Sequence, residues 1–434
     1  MRAAWLALIL AAIAAVEACG GSDPSGDGAR GFARPLSSDV CSPMTTVGDD
    51  RPRFLIPLIG PLQNAISDHG IQNAQAAKLV LDEHDWKAGG AAVALQVCDE
   101  ASAEEYSDPS KCARIARTLA ANPSVLVVLG PSASVCAQSM IPVLNEADGG
   151  PVALLGLGNT YLGLTRAGPG VEQGDPDALY PTGTRNYLRT APADDAQAAG
   201  AVIAALDAGA RVAYGLHDGT TYGKGVATAF VETARRAGLE VAGIAAWDPD
   251  AQNYRALAER VDRTGADAVY LGGLAFNNGP RLIYDLRGAL RRDAALFGPD
   301  GFNQPTLLVE GAGGRVDGMT ISLSAAPSRA LAPRGREWAR RFTDRWGARP
   351  CCYAVHAGQA MELALDALTR ASGDRASVLE ILRRMQISDG LLGDFSFDEH
   401  GDSTLRGVSL WRIDGGRLRY LRTVEVPERL LARR

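Results

Sequence analysis

The feature that most constrains the fold is the alternation of short apolar runs with amphipathic segments along the chain. In the first part, apolar runs predict strands and the segments between them predict helices; the strands are FLIPLIG (54–60), VALQVCD (93–99), VLVVLG (125–130) and PVALLGL (151–157), and the helices span 71–86, 111–121 and 135–147. Continuous apolar strands separated by amphipathic helices are typical of a parallel sheet that is covered on both faces. This part of the sequence therefore predicts a doubly wound α/β unit.

The same alternation begins again after Thr190 and predicts a second unit of the same kind. Its predicted helices span 193–208, 223–237, 252–264 and 279–291, and its predicted strands span 211–218, 241–247, 268–273 and 296–301. A chain of 434 residues is too long for one ordinary core, which agrees with two lobes. The predicted fold class is α/β, with two doubly wound parallel-sheet lobes.

The last part of the chain has a different pattern. Helices predicted at about 334–346, 354–371 and 375–386 precede a β meander, in which Asp414-Gly415-Gly416 indicates a hairpin. Such a tail is expected to cross back between the lobes and to form a multi-strand hinge. The predicted organisation is a signal peptide (1–18), a tether (19–50), an N-terminal lobe (51–190), a C-terminal lobe (191–325) and a shared segment of crossover helices and terminal strands (326–434).

The N-terminus predicts export. Trp5 to Val16 is an unbroken apolar run of twelve residues, whereas a membrane-spanning helix needs about 20, so the run has the length of a signal peptide. The run is followed by VEAC and a Gly/Ser/Asp-rich stretch, and this arrangement resembles the lipobox of bacterial lipoproteins. The resemblance implies lipidation at Cys19, although Glu17 departs from the usual small residue. An ordinary cleaved signal before a soluble periplasmic protein is the alternative.

The cysteines agree with an oxidising compartment. Six remain besides Cys19, and an even number in an exported protein favours disulfides. Cys98 ends a predicted strand and Cys112 begins the next helix, which makes them the expected local pair. Cys351 and Cys352 lie near His356, but adjacent thiols lack the spacing that lets two sulfurs reach one metal ion.

Composition and motifs argue against other classes of function. The formal net charge of -6 argues against a nucleic-acid binder, which would need a basic face. The histidines are scattered outside metal-binding spacings, no GxSxG elbow occurs, and the glycine-rich stretches lack a phosphate-binding frame. We therefore expect no enzyme activity, no cofactor and no metal site.

Several ordered motifs together resemble one known family. They are LIPLIGPLQNAISDHG, VLGPSASVCAQSMIPVLN, LGLGNTYLGLT, YLRTAPADDAQAAG, LHDGTTYGKG, VYLGG, FGPDG and DFSFDEHGD, and they extend from about Phe54 to Arg422. In this order they resemble the branched-chain amino-acid (Leu/Ile/Val) binding proteins, which have the type I periplasmic-binding fold and serve ABC importers. The resemblance implies a monomeric, extracytoplasmic solute-binding protein, here in a lipid-anchored form, that delivers its ligand to an ABC permease.

The resemblance assigns ligand contacts in the first lobe. Ser134 matches the serine that binds the ligand carboxylate, and Thr160, preceded by Gly158 and Asn159, matches the threonine that contacts carboxylate and ammonium. Ser132 lies at the same strand end as Ser134. Independently of the family, ligands of open α/β sheets sit beyond the carboxyl ends of strands, and a helix N-terminus there attracts an anion. The alternative for these hydroxyl residues is helix capping.

In the second lobe the resemblance implies that Tyr222, in the turn before a helix, contacts the ligand and that Asp300, in FGPDG, takes the ligand's ammonium group. Asp300 could instead be a solvated turn residue, and Tyr222 a core aromatic. Leu274 stands where many amino-acid binders have an aromatic residue, and the first-lobe aromatic expected near Ile66 is not evident. The side chain and the class of the ligand therefore stay open.

The function predicted from the sequence is capture of a small amino acid or amide-like solute by closure of two lobes, followed by delivery to an ABC permease. One alternative is a ligand sensor of the same fold that regulates a partner signalling protein. Another is a degenerate scaffold without a ligand, because of the missing aromatic residues.

Overall fold

The computed structural model describes residues 31–37, 39, 41–102, 106–351 and 353–432. The predicted signal peptide, the lipidation site Cys19, the start of the tether and Cys352 lie outside these residues. Within the described ranges, no helix combines the length and the apolar character that crossing a membrane requires.

The first lobe is built on a mostly parallel sheet. The described residues give it six strands: β1 (Phe54–Gly60), β2 (Lys87–Ala88), β3 (Ala91–Asp99), β4 (Val127–Leu129), β5 (Ala153–Gly156) and β6 (Tyr187–Arg189). Their order is β2-β3-β1-β4-β5-β6, and only β2 runs antiparallel to its neighbour. Helices α1 (Ser67–Glu83), α2 (Pro109–Ala120) and α3 (Ser134–Asn145) connect the strands. Two apolar cores, one on each face, bury the sheet, as the uninterrupted apolar strands predict.

The second lobe repeats this construction. Its sheet, as far as it is described, has seven strands: β7 (Val212–His217), β8 (Glu240–Ala246), β9 (Ala268–Gly272), β10 (Ala295–Gly298), β11 (Thr320–Leu323), β14 (Gly407–Asp414) and β15 (Arg417–Glu425). They lie in the order β15-β14-β11-β10-β9-β7-β8. The helices are α4 (Asp194–Asp207), α5 (Thr221–Arg236), α6 (Arg255–Arg263), α7 (Gly279–Ala289) and α8 (Pro305–Ala312). The predicted α/β class with two doubly wound lobes is confirmed.

The C-terminal part of the chain contributes to both lobes. Helices α9 (Pro333–Trp346), α10 (Ala354–Arg370) and α11 (Arg375–Arg384) pack into the core of the first lobe. A small hairpin of β12 (Gln386–Gly390) and β13 (Gly393–Ser396) follows, and β14 and β15 then extend the second sheet in antiparallel fashion. The described chain thus passes between the lobes at 190–193, 324–332 and 397–406.

A buried ion-pair network ties these crossings together. The Arg189 guanidinium, fully buried at the end of β6, donates from Nε to Asp402 Oδ1 at 2.7 Å, and Arg166 Nε lies 2.6 Å from Asp402 Oδ2. Arg189 also donates to the Tyr161 carbonyl at 2.8 Å and to Thr165 Oγ1 at 2.6 Å. Two of the crossing segments therefore meet at one charged cluster.

The disulfide predicted between Cys98 and Cys112 is wrong. Cys98 is bonded to Cys41, and Cys112 is bonded to Cys136. The segment before the first lobe runs antiparallel to the end of β3, which brings Cys41 opposite Cys98. Helices α2 and α3 pack side by side and bring the other two sulfurs together. Both pairs depend on contacts between separate elements, which local sequence does not reveal.

Other elements also differ from the sequence prediction, including strands β2 and β6, which were not predicted. Helix α8 and strand β11 occupy a stretch for which no element was predicted, and β11 pairs in parallel with β10. Residues 386–390 form a strand, although the helix before them was predicted to reach 386. The short strand TISL and the eight-residue helix are too brief to give a clear periodic signal.

Candidate functional site

A cleft of about 1320 Å³ lies between the lobes, at the carboxyl ends of the central strands. It is lined by the predicted residues Ser132, Ser134, Gly158, Thr160, Tyr222, Leu274 and Asp300. Four of them follow strands of the first lobe and three follow strands of the second. The strand-end argument thus brings these residues to one place.

Asn159 is the predicted residue that does not line the cleft. Its side chain is fully buried, donates from Nδ2 to the Pro131 carbonyl at 2.6 Å and accepts a hydrogen bond from the Tyr187 hydroxyl. The amide therefore ties the loop after β5 to the loop after β4. Its role in the structure is to position its neighbours.

The N-terminus of α3 forms the first-lobe wall of the cleft. The helix starts at Ser134, and its first backbone hydrogen bond runs from Ala137 N to Ala133 O at 3.1 Å. The preceding N–H groups of the first turn have no acceptor inside the helix, which makes this end a site for an anion. Ser134 Oγ accepts from Tyr161 N at 3.2 Å, so its own proton stays available to a ligand.

The Gly158–Thr160 loop lies beside this helix end. A Cβ at Gly158 would come within 2.6 Å of the Tyr353 ring, so glycine allows the aromatic ring to pack directly on the backbone. Thr160 is 1% exposed, and its carbonyl accepts from Asp194 N at 2.8 Å. The loop of the first lobe is thus bonded to the first residue of α4 in the second.

Asp300 forms the opposite wall, just after β10. The Tyr222 hydroxyl donates to Asp300 Oδ1 and the Tyr353 hydroxyl donates to Oδ2. Asp300 N in turn donates to Gln197 Oε1 at 3.3 Å. Burial raises the pKa of Asp300, and the hydrogen bonds from the two tyrosines act in the opposite direction. No lysine or arginine forms a salt bridge with this carboxylate among the described residues, so it suits a cation.

A second acid, Asp194, lies next to this site. It is 1% exposed, and neither of its oxygens has a hydrogen-bond partner of normal geometry in the described ranges. Burial raises the pKa of Asp194 well above its usual value, and the charge of Asp300 adds to the effect. Ionising a carboxylate that is removed from water is costly, which favours the neutral form of Asp194.

Leu274 is held in place by a buried acid. Asp218 Oδ2 accepts from Leu274 N at 2.9 Å and from Asn277 Nδ2 at 2.7 Å, while its Oδ1 accepts from Thr220 Oγ1 at 2.6 Å. Asp218 therefore joins the loop after β9 to the N-cap of α5. This backbone hydrogen bond fixes the loop at the position where Leu274 lines the cleft.

A family model described as "Periplasmic binding protein" matches residues 54–417, which is most of the chain. The chain belongs to the periplasmic binding protein family. The family and the fold are those of solute-binding proteins, and the family's location is extracytoplasmic.

Individual relatives agree with this assignment. The chain is 27% identical over 379 residues to the Leu/Ile/Val-binding protein BraC3 of Rhizobium johnstonii, an alignment that covers 84% of this chain and 92% of the relative. A leucine-binding protein LivK from Thermotoga maritima has a TM-score of 0.72 at 21% identity and covers 86% of this chain and 99% of its own. A solute-binding protein from R. palustris in complex with benzoate has a TM-score of 0.67 at 17% identity, with 87% and 97% covered.

Two residues of this periplasmic binding protein were missed by the sequence analysis. Tyr353 precedes α10 in the first lobe, so its reach to Asp300 becomes visible only once the lobes face each other. Asp194 begins α4 and has the sequence signal of a residue in the first turn of a helix, where acids are common. Neither residue carries a local pattern that separates a site role from a structural one.

One cluster of this periplasmic binding protein has the composition of a metal site. The carboxylate of Glu100 and the sulfurs of Cys112 and Cys136 lie within 4.8 Å of one another. Both sulfurs are consumed by their mutual disulfide, so they supply no thiolate ligand. The cluster therefore does not suit a metal ion.

Proposed function

We propose that the protein captures a small zwitterionic amino acid as the extracytoplasmic binding component of an ABC importer. The observation that carries the proposal is the opposition of two complementary ends across one cleft. Asp300 and its two tyrosines offer a negative end on the second lobe, and the N-terminus of α3 offers a positive end on the first. A ligand with ammonium and carboxylate groups matches both ends.

In this proposal each lobe binds one charge of the ligand. Ser134 and Thr160 take the carboxylate, with Ser132 and Gly158 shaping the loop around it. Tyr222 and Asp300 take the ammonium, and Leu274 contacts the ligand's side chain. Closure of the lobes removes water from these contacts, which strengthens the charge pairs because the local dielectric falls.

The relatives support an amino acid as the ligand class. Several are named as binding leucine, isoleucine and valine, and one structural neighbour is a complex with isoleucine. The benzoate in the complex of the R. palustris protein also carries a carboxylate. The proposed partner is an ABC permease, which the monomeric, ligand-loaded protein meets with the surfaces of both lobes.

A thermal-unfolding screen tests the ligand class. Leucine, isoleucine, valine and alanine are the primary probes, and N-acetylleucine amide is the control because it keeps the side chain but lacks both charges. At about 100 times its dissociation constant a ligand stabilises the native protein by about 2.7 kcal/mol, which raises the melting temperature measurably. A rise with an amino acid and none with the amide supports the proposal. No rise with any amino acid refutes it.

The lipid anchor at Cys19 is tested separately. Cys19→Ser is expected to move the protein from the membrane fraction to the soluble extracytoplasmic fraction, while Ser22→Ala serves as the matched control. Membrane retention of the Cys19→Ser variant would contradict the anchor without affecting the ligand proposal. Co-purification with permease subunits, as opposed to a signalling receptor, tests the partner.

A further inference from the structure

Glu100 is a buried acid that holds the loop of the proposed carboxylate site. It follows β3, is fully buried, and accepts hydrogen bonds from Ser132 N at 2.9 Å and from Ala133 N at 3.3 Å. These two N–H groups immediately precede Ser134, the first residue of α3. The Glu100 carboxylate therefore lies at the same helix end that the proposed function assigns to a ligand carboxylate.

Among the residues that the structure describes, Glu100 has no compensating cation. The Cys112–Cys136 disulfide lies within 4.8 Å of the carboxylate, and the nearest acid along the chain, Asp99, adds negative charge. Lys111 is bonded to Asp99 Oδ2 at 2.8 Å and to a backbone carbonyl, so its charge is already used. Besides the two backbone donors and the helix end, the Ser132 hydroxyl interacts with the Glu100 carboxylate and favours its charged form.

Because burial outweighs the hydrogen bonds from the backbone and from the Ser132 side chain, the pKa of Glu100 is raised to about 7. The negative charge of Asp99 raises it further. Glu100 therefore exchanges its proton near neutral pH, unlike an exposed glutamate.

We propose that Glu100 is a positioning residue of the anion-binding loop and that this loop takes up a ligand carboxylate together with a proton on Glu100. The proposal rests on the proposed function, since it needs a carboxylate-bearing ligand at Ser134. The proton comes from solvent and adds to a Glu100 oxygen, so the site exchanges one buried negative charge for another. Two ionised carboxylates at one helix N-terminus repel each other, and protonation of Glu100 removes that repulsion.

The direction of the pH effect follows from linkage. If the bound carboxylate raises the pKa of Glu100, then protonation of Glu100 raises the affinity for the carboxylate by the same factor. Affinity is then higher at low pH and falls as pH rises through 7. A rise of one pKa unit gives an affinity about sevenfold higher at about pH 6 than at about pH 8.5.

The unliganded protein provides the first arm of the test. The folded-state pKa of Glu100 lies above its unfolded value, so wild type loses stability relative to Glu100→Gln as pH rises from about 4.5 to about 7, and the difference then levels. Gln keeps an acceptor for Ser132 N and stands for the neutral acid. Glu362→Gln, at a half-buried glutamate that lies outside the cleft lining and forms a salt bridge with Arg334, is the control. A stability difference that does not change with pH would overturn the protonation of Glu100.

The second arm measures affinity by calorimetry, with leucine and benzoate as probes. Wild type and Glu362→Gln are expected to bind both probes more tightly at about pH 6 than at about pH 8.5. The affinity of Glu100→Gln for both probes is expected to change little between these two pH values. Benzoate lacks the ammonium group, so it forms no ion pair with Asp300. A flat wild-type profile, or an unchanged profile in Glu100→Gln, overturns the coupling.

A third outcome concerns the proposed function itself. If neither probe binds at any pH, both the proposed ligand class and the coupling fail, whereas the first arm still decides the protonation of Glu100. If benzoate binds with the expected pH profile and leucine does not, the amino-acid assignment fails and the role of Glu100 stands.

Discussion

Replacement of Asp300 by asparagine is the most direct test of the proposed ammonium site. Asp300→Asn removes the negative charge and keeps the shape of the side chain. The amide oxygen still accepts from one tyrosine hydroxyl, and the amide nitrogen can donate to the oxygen of the other, so Tyr222 and Tyr353 keep partners. The variant is therefore expected to fold, and its effect is expected in binding.

The magnitude follows from the charge of the lost bond. A hydrogen bond to a charged group contributes about 1.5–3 kcal/mol, because the ionised partner strengthens it. Loss of this contribution corresponds to about a 10- to 150-fold weaker affinity for a ligand whose ammonium contacts Asp300. The partial burial of the carboxylate favours the upper part of this range, since solvent screens the pair less.

Calorimetric titration with two matched ligands measures the effect. Leucine carries the ammonium group, and 4-methylpentanoate has the same skeleton without it. Asp300→Asn is expected to weaken the binding of leucine and to leave the binding of 4-methylpentanoate unchanged or slightly tighter. Asp293→Asn, at an exposed acid of the same lobe, is the control variant. An equal loss for both ligands would show a general disturbance of the cleft, and undiminished leucine affinity would remove Asp300 from the site.

Three further predictions concern the cleft, the crossings and the disulfides. Gly158→Ala is expected to displace Tyr353, because the new Cβ would come within 2.6 Å of its ring, and to weaken the affinity for leucine at least about tenfold in calorimetric titration. The control is Gly314→Ala, whose new Cβ meets nothing within 4 Å and is expected to leave the affinity unchanged. Burial opposes ionisation of Asp402, but the charges of Arg189 and Arg166 and the hydrogen bonds from Arg189 and Thr165 together outweigh it and hold the pKa at about 2. Asp402→Asn is therefore expected to cost about 3–5 kcal/mol in urea unfolding at neutral pH. The stability advantage of wild type over Asp402→Asn is expected to be lost as pH falls from about 4 towards 2. A difference in unfolding free energy that stays constant over this pH range would contradict the ion pair. Removal of the Cys41–Cys98 disulfide, with a sequence separation of 57, is expected to lower the free energy of unfolding by about 4 kcal/mol. Removal of Cys112–Cys136, with a separation of 24, is expected to lower it by about 3 kcal/mol, and the reverse order would contradict the chain-entropy account.

Sequence patterns predicted the elements whose signal is local and repeated. The run FLIPLIG forms β1 over the predicted range, and the amphipathic pattern before His84 forms most of α1. Buried residues recur along each of these elements at the spacing typical of a strand or of a helix, so a window of about ten residues is enough to predict the element. Strand β11 is different, because its four residues gain their place only by pairing with β10 and β14.

The same distinction applies to the candidate site. Ser134 and Asp300 could be predicted because they follow strands, and the carboxyl ends of parallel strands meet at one edge of a sheet. Tyr353, Asp194 and the correct disulfide partners could not, because each depends on how separate elements pack. The geometry that decides them is set by tertiary contacts over long sequence separations, such as the 53 residues between Asp300 and Tyr353.

The contact between Tyr353 and Asp300 has a consequence for ligand capture. Tyr353 belongs to the first lobe and Asp300 to the second, so their hydrogen bond spans the cleft. An incoming ammonium competes for the same carboxylate, yet a tyrosine hydroxyl also accepts hydrogen bonds, so the ammonium can donate to both groups at once. The ligand then replaces a direct bridge between the lobes by a longer one through itself. Affinity therefore depends on the difference between these two bridges, and Tyr353→Phe, which removes the direct one and one ligand acceptor, is expected to change affinity less than Asp300→Asn.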